Sequence, residues 1–210
     1  MDGIQLPYDI KKFQHRIEIC GGIASGKTTL TQLLEKNGFC VAYEDYEANP
    51  YIKDFYTNSS INCDFETEMV FTLLHFSSIK RSRKATFDFS LLQDLAYANA
   101  NLTEYYLKIY YEFYKGIMKS VGFPKYLIYI ECSPKTALQR LKRRNRLIEE
   151  EVQLGYLMRI INELKKIVVK YPNVLILDSE KVDFLTENKK IVNIVRRYIE
   201  DKNTELGEVV

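Results

Sequence analysis

The segment Gly21-Gly22-Ile23-Ala24-Ser25-Gly26-Lys27-Thr28 constrains this chain more than any other, because it fits the pattern G-x-x-x-x-G-K-[ST]. Glycines in that pattern let backbone N–H groups turn inward around a phosphate. The lysine brings a cation to the terminal phosphates, and the hydroxyl of the last position is a ligand for Mg²⁺. The flanks agree with the pattern. Residues 15–20 alternate as a strand does, and residues 29–36 carry Leu30, Leu33 and Leu34 on one helical face. Strand, glycine loop and helix in that order form the required context. The helix aims its N-terminal N–H groups and positive dipole end at the same anion. Gly21, Gly22, Ile23, Ala24, Ser25, Gly26, Lys27, Thr28 and Thr29 are therefore the candidate nucleotide-phosphate site.

The chain has 210 residues, which suits one α/β domain spanning 1–210 with a sizeable core. A net charge of +2 gives no argument for a nucleic-acid or membrane partner. No apolar run approaches the roughly 20 residues that a membrane span needs. Residues 1–8 lack the basic and apolar regions of a signal peptide. Cys20, Cys40, Cys63 and Cys132 are scattered without a C-x-x-C pair. They read as buried free thiols of a cytoplasmic protein rather than a metal site. The polar tail, 201–210, is expected to fray.

Apolar runs and helical periodicities alternate along the chain. Strands are expected at 15–20, 39–43, 85–88, 126–131 and 174–178. Helices are expected at 29–36, 48–56, 65–79, 91–99, 102–120, 134–143, 149–171 and 184–201. This alternation implies a three-layer α/β fold, a five-stranded parallel sheet with helices on both faces and right-handed crossovers. Ligands of such folds sit beyond the carboxyl ends of the strands. Glu44 and Asp45 follow the second strand there, Asp88 closes the third, and Arg140, Arg143, Arg144 and Arg146 precede the long helix. Phosphoryl transfer uses such parts: a carboxylate for the attacking hydroxyl's proton, another for Mg²⁺, arginines for the moving charge, and a lid that excludes water.

Each group also has a plainer reading. Glu44 is a solvated loop residue in that reading, and Glu68 a surface residue. Asp88 caps the helix beginning near Leu91. The arginines form a solvated helix end paired with Glu149, Glu150 and Glu151. His75 is a hydrogen-bonded core residue, and the tyrosines at 105, 106, 110, 111 and 114 pack a core or a dimer rather than stacking on nucleic acid.

Taken in order, the motifs resemble the bacterial branch of the deoxynucleoside kinases. Glu44 followed by Asn49-Pro50-Tyr51-Ile52-Lys53-Asp54-Phe55-Tyr56 resembles that family's catalytic glutamate and N-P-[FY]-L-x-x-F-Y segment. Phe65-Glu66-Thr67-Glu68 with His75 resembles the substrate helix, and Asp88-Phe89-Ser90 with Asp94 resembles the [DE]-R-S motif and its downstream acid. Arg140, Arg144, Arg146 and Glu149 resemble an arginine lid, spanning about 140–150, and Gly155-Tyr156-Leu157 and Val182-Asp183-Phe184 match later segments. The resemblance implies a P-loop NTPase-type fold, ATP and Mg²⁺, a deoxynucleoside acceptor and a homodimer. It implies that Glu44 is the base for the 5′-hydroxyl, with Lys27, Arg140, Arg144 and Arg146 on the phosphates. Thr28 and Asp88 then serve the metal, Tyr56 and Glu149 the 3′-hydroxyl, and Glu68, His75 and Asp94 the base.

Two departures stand out. Phe89 occupies the position of the family's arginine between Asp88 and Ser90, and His75 stands where the substrate helix carries arginine. Glu68 replaces the common glutamine; ionised, it would accept only, favouring an exocyclic amine on adenine or cytosine. A nucleoside monophosphate kinase is a rival reading, opposed by the absence of arginine from 44–68. A non-catalytic nucleotide-binding protein is another; Phe89 speaks for it, while Lys27 and Glu44 speak against it.

Overall fold

The computed structural model describes residues 16–57, 62–82, 85–146, 149–172 and 174–207. Expectations resting on 1–15, on Arg83, Lys84 and Ile148, and on 208–210 lie outside those residues. The strands are β1 (Ile17–Gly21), β2 (Val41–Ala42), β3 (Thr86–Phe87), β4 (Tyr126–Glu131) and β5 (Leu175–Asp178). They form one sheet in the order β2-β3-β1-β4-β5, and every pairing is parallel. The expected five-stranded parallel sheet is thus the one observed. Helices α1 (Lys27–Lys36), α2 (Ile52–Tyr56), α3 (Asp64–Arg81), α4 (Leu91–Asn101), α5 (Glu104–Val121), α6 (Pro134–Arg144), α7 (Leu154–Val168) and α8 (Asn188–Gly207) surround it.

Side-chain alternation along the central strands decides what packs where. Ile17, Ile19, Tyr126, Ile128 and Ile130 point to one face, against Leu30, Leu33 and Leu34 of α1 and Ile191, Val192 and Val195 of α8. Cys20, Leu127 and Tyr129 point to the other, against Leu92 and Ala96 of α4 and Ile160, Leu164 and Val168 of α7. Full burial of each such leucine or isoleucine contributes about 1.5–3 kcal/mol. A third apolar cluster joins Phe87, Phe89, Tyr110, Tyr114 and Ile117 beyond β3.

Register then positions the cleft. Glu18 pairs with Phe87, and Phe87 with Ala42, so the chain beyond β2 and β3 leaves the sheet beside the end of β1. A buried network fixes the start of α4 at that level. Arg16 Nε donates to Glu18 Oε1 (2.6 Å), while Glu18 Oε2 accepts from Ser90 Oγ (2.7 Å) and Leu91 N (3.2 Å).

Several boundaries depart from the sequence reading. The helix expected at 48–56 is a 3-10 turn (Tyr46–Ala48) followed by α2, because Pro50 disfavours helical backbone at Asn49, which is extended (ψ 110°). The long helix expected from 149 starts at Leu154; Glu149 lies in a tight turn in which Val152 N donates to Glu149 O (3.1 Å). The closing helix starts at Asn188 rather than at 184, since Asp183 Oδ1 accepts from Leu185 N (2.8 Å) and holds a turn there. The free thiols of Cys20, Cys63 and Cys132 are buried, but that of Cys40 is exposed at the edge before β2. Among the described residues, no helix is long and apolar enough to cross a membrane.

Candidate active site

The loop between β1 and α1 is built for an anion. A Cβ on Gly21 would lie 2.6 Å from Ser25 Oγ and 3.0 Å from Ile130 O, so only glycine fits. Gly26 adopts φ 111°, and a side chain there would also press on the Phe184 ring. Ala24 holds φ 57° in the same turn. Ser25 Oγ is buried without a hydrogen-bond partner. Lys27 Nζ donates to Gly21 O (2.9 Å) and Gly22 O (3.1 Å) at the rim of the cradle.

Asp88 links this loop to the second strand's carboxylate. Its Oδ2 accepts from Thr28 Oγ1 (3.2 Å), and its Oδ1 accepts from Glu44 N (2.5 Å). Ser90, not Asp88, caps α4: Ser90 Oγ accepts from Leu92 N (3.1 Å). Asp88 is thereby released from the capping role and turned to the loop. Burial raises its carboxyl above the usual range, and the Glu44 N–H bond works against that rise.

One cavity of about 660 Å³ receives nearly all of the expected residues. Ile23, Ala24, Ser25, Gly26, Lys27, Thr28, Thr29, Glu44, Tyr56, Glu68, His75, Asp88, Asp94, Arg140, Arg144, Arg146 and Glu149 line it; Gly21 and Gly22 lie behind the loop. Gln93, Tyr97, Phe71 and Phe184 also line it. The sequence reading did not single out the first three. Gln93 and Tyr97 are four apart on α4, and Tyr97 is three beyond Asp94, a helical spacing that marks them in retrospect.

The arginines are engaged in different ways. Arg140 donates to Ser25 O (3.0 Å), Ser179 Oγ (2.9 Å) and Ser179 O (2.7 Å), so it braces the phosphate loop against the end of β5. Arg144 pairs with Glu149 (2.5 Å). Arg146 lies 3.8 Å from the same carboxylate and over the Tyr46 ring, 4.7 Å from its centroid. Asn145 makes this possible. It ends α6 in the left-handed region (φ 50°, ψ 46°), a conformation asparagine tolerates. The chain turns back there and returns Arg146 and Glu149 to the cleft.

On the acceptor side, Asn49 joins α2 to α3: its Nδ2 donates to Thr67 O (3.0 Å) and its Oδ1 accepts from Tyr51 N (3.1 Å). Glu68 is buried and accepts from Asn101 Nδ2 (2.8 Å). Burial, with the charges of Asp94 and Asp64, pushes its carboxyl up to about 8. It is therefore a neutral acid at pH 7, a donor as well as an acceptor, and the acceptor-only argument for adenine or cytosine is overturned. His75 does not stand free toward a base. Its Nδ1 lies 2.9 Å from both Asp94 oxygens, and its Nε2 lies 3.2 Å from Glu44 Oε1. Burial alone would raise Glu44, but His75, then Lys27 and Arg146, outweigh it and hold the carboxyl below its ordinary range. At neutral pH this carboxylate is ionised and about a quarter exposed (26%), facing the cleft.

Known proteins resemble this chain over most of its length. The family model for deoxynucleoside kinases matches residues 17–201. The chain is 29% identical to a deoxyguanosine kinase of Bacillus subtilis, over 80% of this chain and 88% of that protein. It is 27% identical to a deoxyguanosine kinase of Lactobacillus acidophilus, over 92% of each. Its fold matches that of a deoxyadenosine kinase from M. mycoides solved with bound dCTP, at a TM-score of 0.75 and 24% identity, over 87% of this chain and 99% of that one. A family match that runs from β1 through β5 and into the closing helix places the chain in the deoxynucleoside kinase family, ATP-dependent phosphotransferases acting on deoxynucleosides.

Proposed function

We propose that the chain transfers the γ-phosphoryl group of ATP to the 5′-hydroxyl of a purine 2′-deoxynucleoside, with Glu44 as the general base. The observation that carries this reading is the Asp88 bridge: one carboxylate touches both Thr28 of the cradle and the backbone of Glu44, so base and phosphates share one cleft. Glu44 stays ionised at neutral pH and need only take the hydroxyl proton as the oxygen attacks. The loop's inward N–H groups and Lys27 hold the phosphate chain. Arg144 and Arg146 neutralise charge on the transferring group, with Arg140 keeping the loop in shape. Tyr56 and Glu149 hold the 3′-hydroxyl.

The residues present fit Mg²⁺. Thr28 and Asp88 offer a hydroxyl and a carboxylate oxygen within 3.2 Å of each other, the hard donors that this cation takes. When bound, Mg²⁺ supplies neutralisation of the β- and γ-phosphate oxygens. Among the described residues no group of three or more His, Cys, Asp or Glu could hold a metal, which accords with a cation carried in on phosphates and water.

A purine is favoured by the relatives. Glu68 as a neutral acid pairs with an edge that shows a donor beside an acceptor, which adenine and guanine offer as cytosine and thymine do, so the choice of a purine rests on the relatives. The relatives named above act on deoxyguanosine and deoxyadenosine. The four free thiols support a reducing cytoplasm. The exposed Leu73, Tyr105, Tyr106 and Ile109 support a homodimer across α3 and α5, which sedimentation as a monomer would remove.

The test is incubation with γ-labelled ATP, Mg²⁺ and each of the four deoxynucleosides. Labelled deoxyadenosine or deoxyguanosine 5′-monophosphate is expected. Absence of product with every acceptor, or preference for pyrimidines, would reject the reading.

A further inference from the structure

The two departures at Phe89 and His75 meet in space. The His75 and Phe89 rings stack with centroids 4.0 Å apart and planes 8° from parallel, although they come from α3 and from the loop before α4. Phe89 is buried (1% exposed), and so is His75 (3%). The Phe71 ring lies 6.0 Å away on the imidazole's own helix. The charged groups against the ring are Asp94 on Nδ1 and Glu44 on Nε2, with Glu68 farther along α3 and Lys27 and Arg146 beyond Glu44.

This geometry fixes the ring's chemistry. A carboxylate only accepts hydrogen bonds. An imidazole nitrogen facing one must carry a proton or meet it with a lone pair. Two carboxylates face two nitrogens here, so the ring is an imidazolium. Asp94 reaches Nδ1 with both oxygens and sets the ring's direction. Nε2 has no aligned hydrogen bond, so its contact with Glu44 is an ion pair with a buried donor still aimed into the cleft.

Resting on the reading of Glu44 as the base, we propose that His75 is a positioning residue of the transfer reaction: clamped by Asp94 and stacked on Phe89, it presents a cation to Glu44 and holds that carboxylate toward the acceptor hydroxyl. The ring does so in place of an arginine at position 89. Such an arginine would need the volume that the Phe89–His75 stack fills. His75 is then removed from base recognition, which falls to Glu68 and its neighbours on α4.

The experiment is a double-mutant cycle on the full chain, read as kcat and as KM for ATP and for the acceptor. His75→Gln keeps the size and one hydrogen bond but loses the charge. Its kcat is expected to fall about 10²-fold, with KM for ATP changed less than about threefold. Phe89→Arg in the wild-type background is expected to leave kcat unchanged or lower it, because two cations then crowd Glu44. In the His75→Gln background the same change is expected to raise kcat at least about tenfold. That reversal of sign is not produced by a merely structural role. His75→Gln with kcat within about threefold of wild type overturns the proposal, as does Phe89→Arg acting alike in both backgrounds. If His75→Gln does not fold, Asp94→Asn decides: kcat lowered about tenfold at constant KM for ATP supports the clamp, and unchanged kcat overturns it. A wild-type chain that phosphorylates nothing fails the underlying reading, a result distinct from an active wild type whose variants stay active.

Discussion

The phosphate side of the cleft and its acceptor side are made from different materials. On the phosphate side, residues 21–29 are consecutive, and the contacts offered to a ligand are mainly backbone N–H groups held by glycine geometry. On the acceptor side, Glu44, Glu68, His75, Phe89 and Asp94 come from separate elements and act through side chains that burial has altered. A backbone site tolerates no change of shape, since a Cβ on Gly21 meets Ile130 O at 3.0 Å. A side-chain site can exchange its members when charge and volume are exchanged together, as the Phe89–His75 stack does. Room for compensating substitutions in this cleft therefore lies on the acceptor side rather than in the cradle.

Substitutions can break the comparison, and the largest effect is expected at its junction. Glu44→Gln keeps the shape and loses the base, so kcat should fall about 10³-fold while ATP affinity measured by titration stays within about threefold. Unchanged kcat would remove Glu44 from the chemistry and leave the acceptor side without its central group. Lys27→Met tests the other half. Its ammonium sits on Gly21 O and Gly22 O at the cradle rim. Both kcat and ATP affinity should suffer, with kcat/KM for ATP down about 10²–10³-fold, because this group binds and stabilises charge together. A loss confined to kcat would contradict the division between the two sides.

Glu68→Gln sharpens the comparison through pH. The folded-state carboxyl titrates near 8, against an ordinary 4.5. A raised value means that its contribution to stability is complete below about 4.5 and is lost as pH climbs to 8. Glutamine keeps the acceptor for Asn101 and does not titrate. Tm of the variant should exceed wild type by about 10 °C at pH 9 and differ by about 1 °C at pH 4.5. His75, raised to about 10 by Asp94 and Glu44 against its burial, loses its own contribution between about pH 6.5 and 10 in both proteins, so it cancels from the difference. Equal melting at pH 9 would show that burial does not raise the Glu68 carboxyl and that it is already ionised at pH 7.

What could be read from residue order follows the same division. The strands and the cradle were legible because each rests on neighbours in sequence, whereas the break at Asn49-Pro50 was read through as helix. Asp88 was ambiguous because Asp88 and Ser90 are both good caps; only the placement of Glu18, which accepts from Ser90 Oγ and Leu91 N, assigns the cap to Ser90. The neutral state of Glu68 depends on burial, which no local pattern encodes. The pairing of His75 with Glu44 depends on β2 and α3 meeting across the cleft. Arg140 read as a lid arginine, yet its partners are carbonyls of the loop and of Ser179, and backbone acceptors leave no mark in sequence.

The smallest expected effect lies within the cradle. Ala24 adopts φ 57°, where an L-residue with a Cβ is strained by about 1–2 kcal/mol and glycine is not. Ala24→Gly relieves that strain. It also frees the unfolded chain, which takes back about 0.4–1 kcal/mol, and it deletes a methyl group packed against the small apolar cluster around α6. The terms nearly cancel, leaving a gain of about 0.5 kcal/mol, or a Tm about 1–2 °C higher, with ATP affinity unchanged because the loop keeps its path. A lower Tm would mean that the methyl group's packing outweighs the backbone strain. The phosphate side would then owe part of its shape to a side chain, and the contrast between the two halves would narrow at that residue.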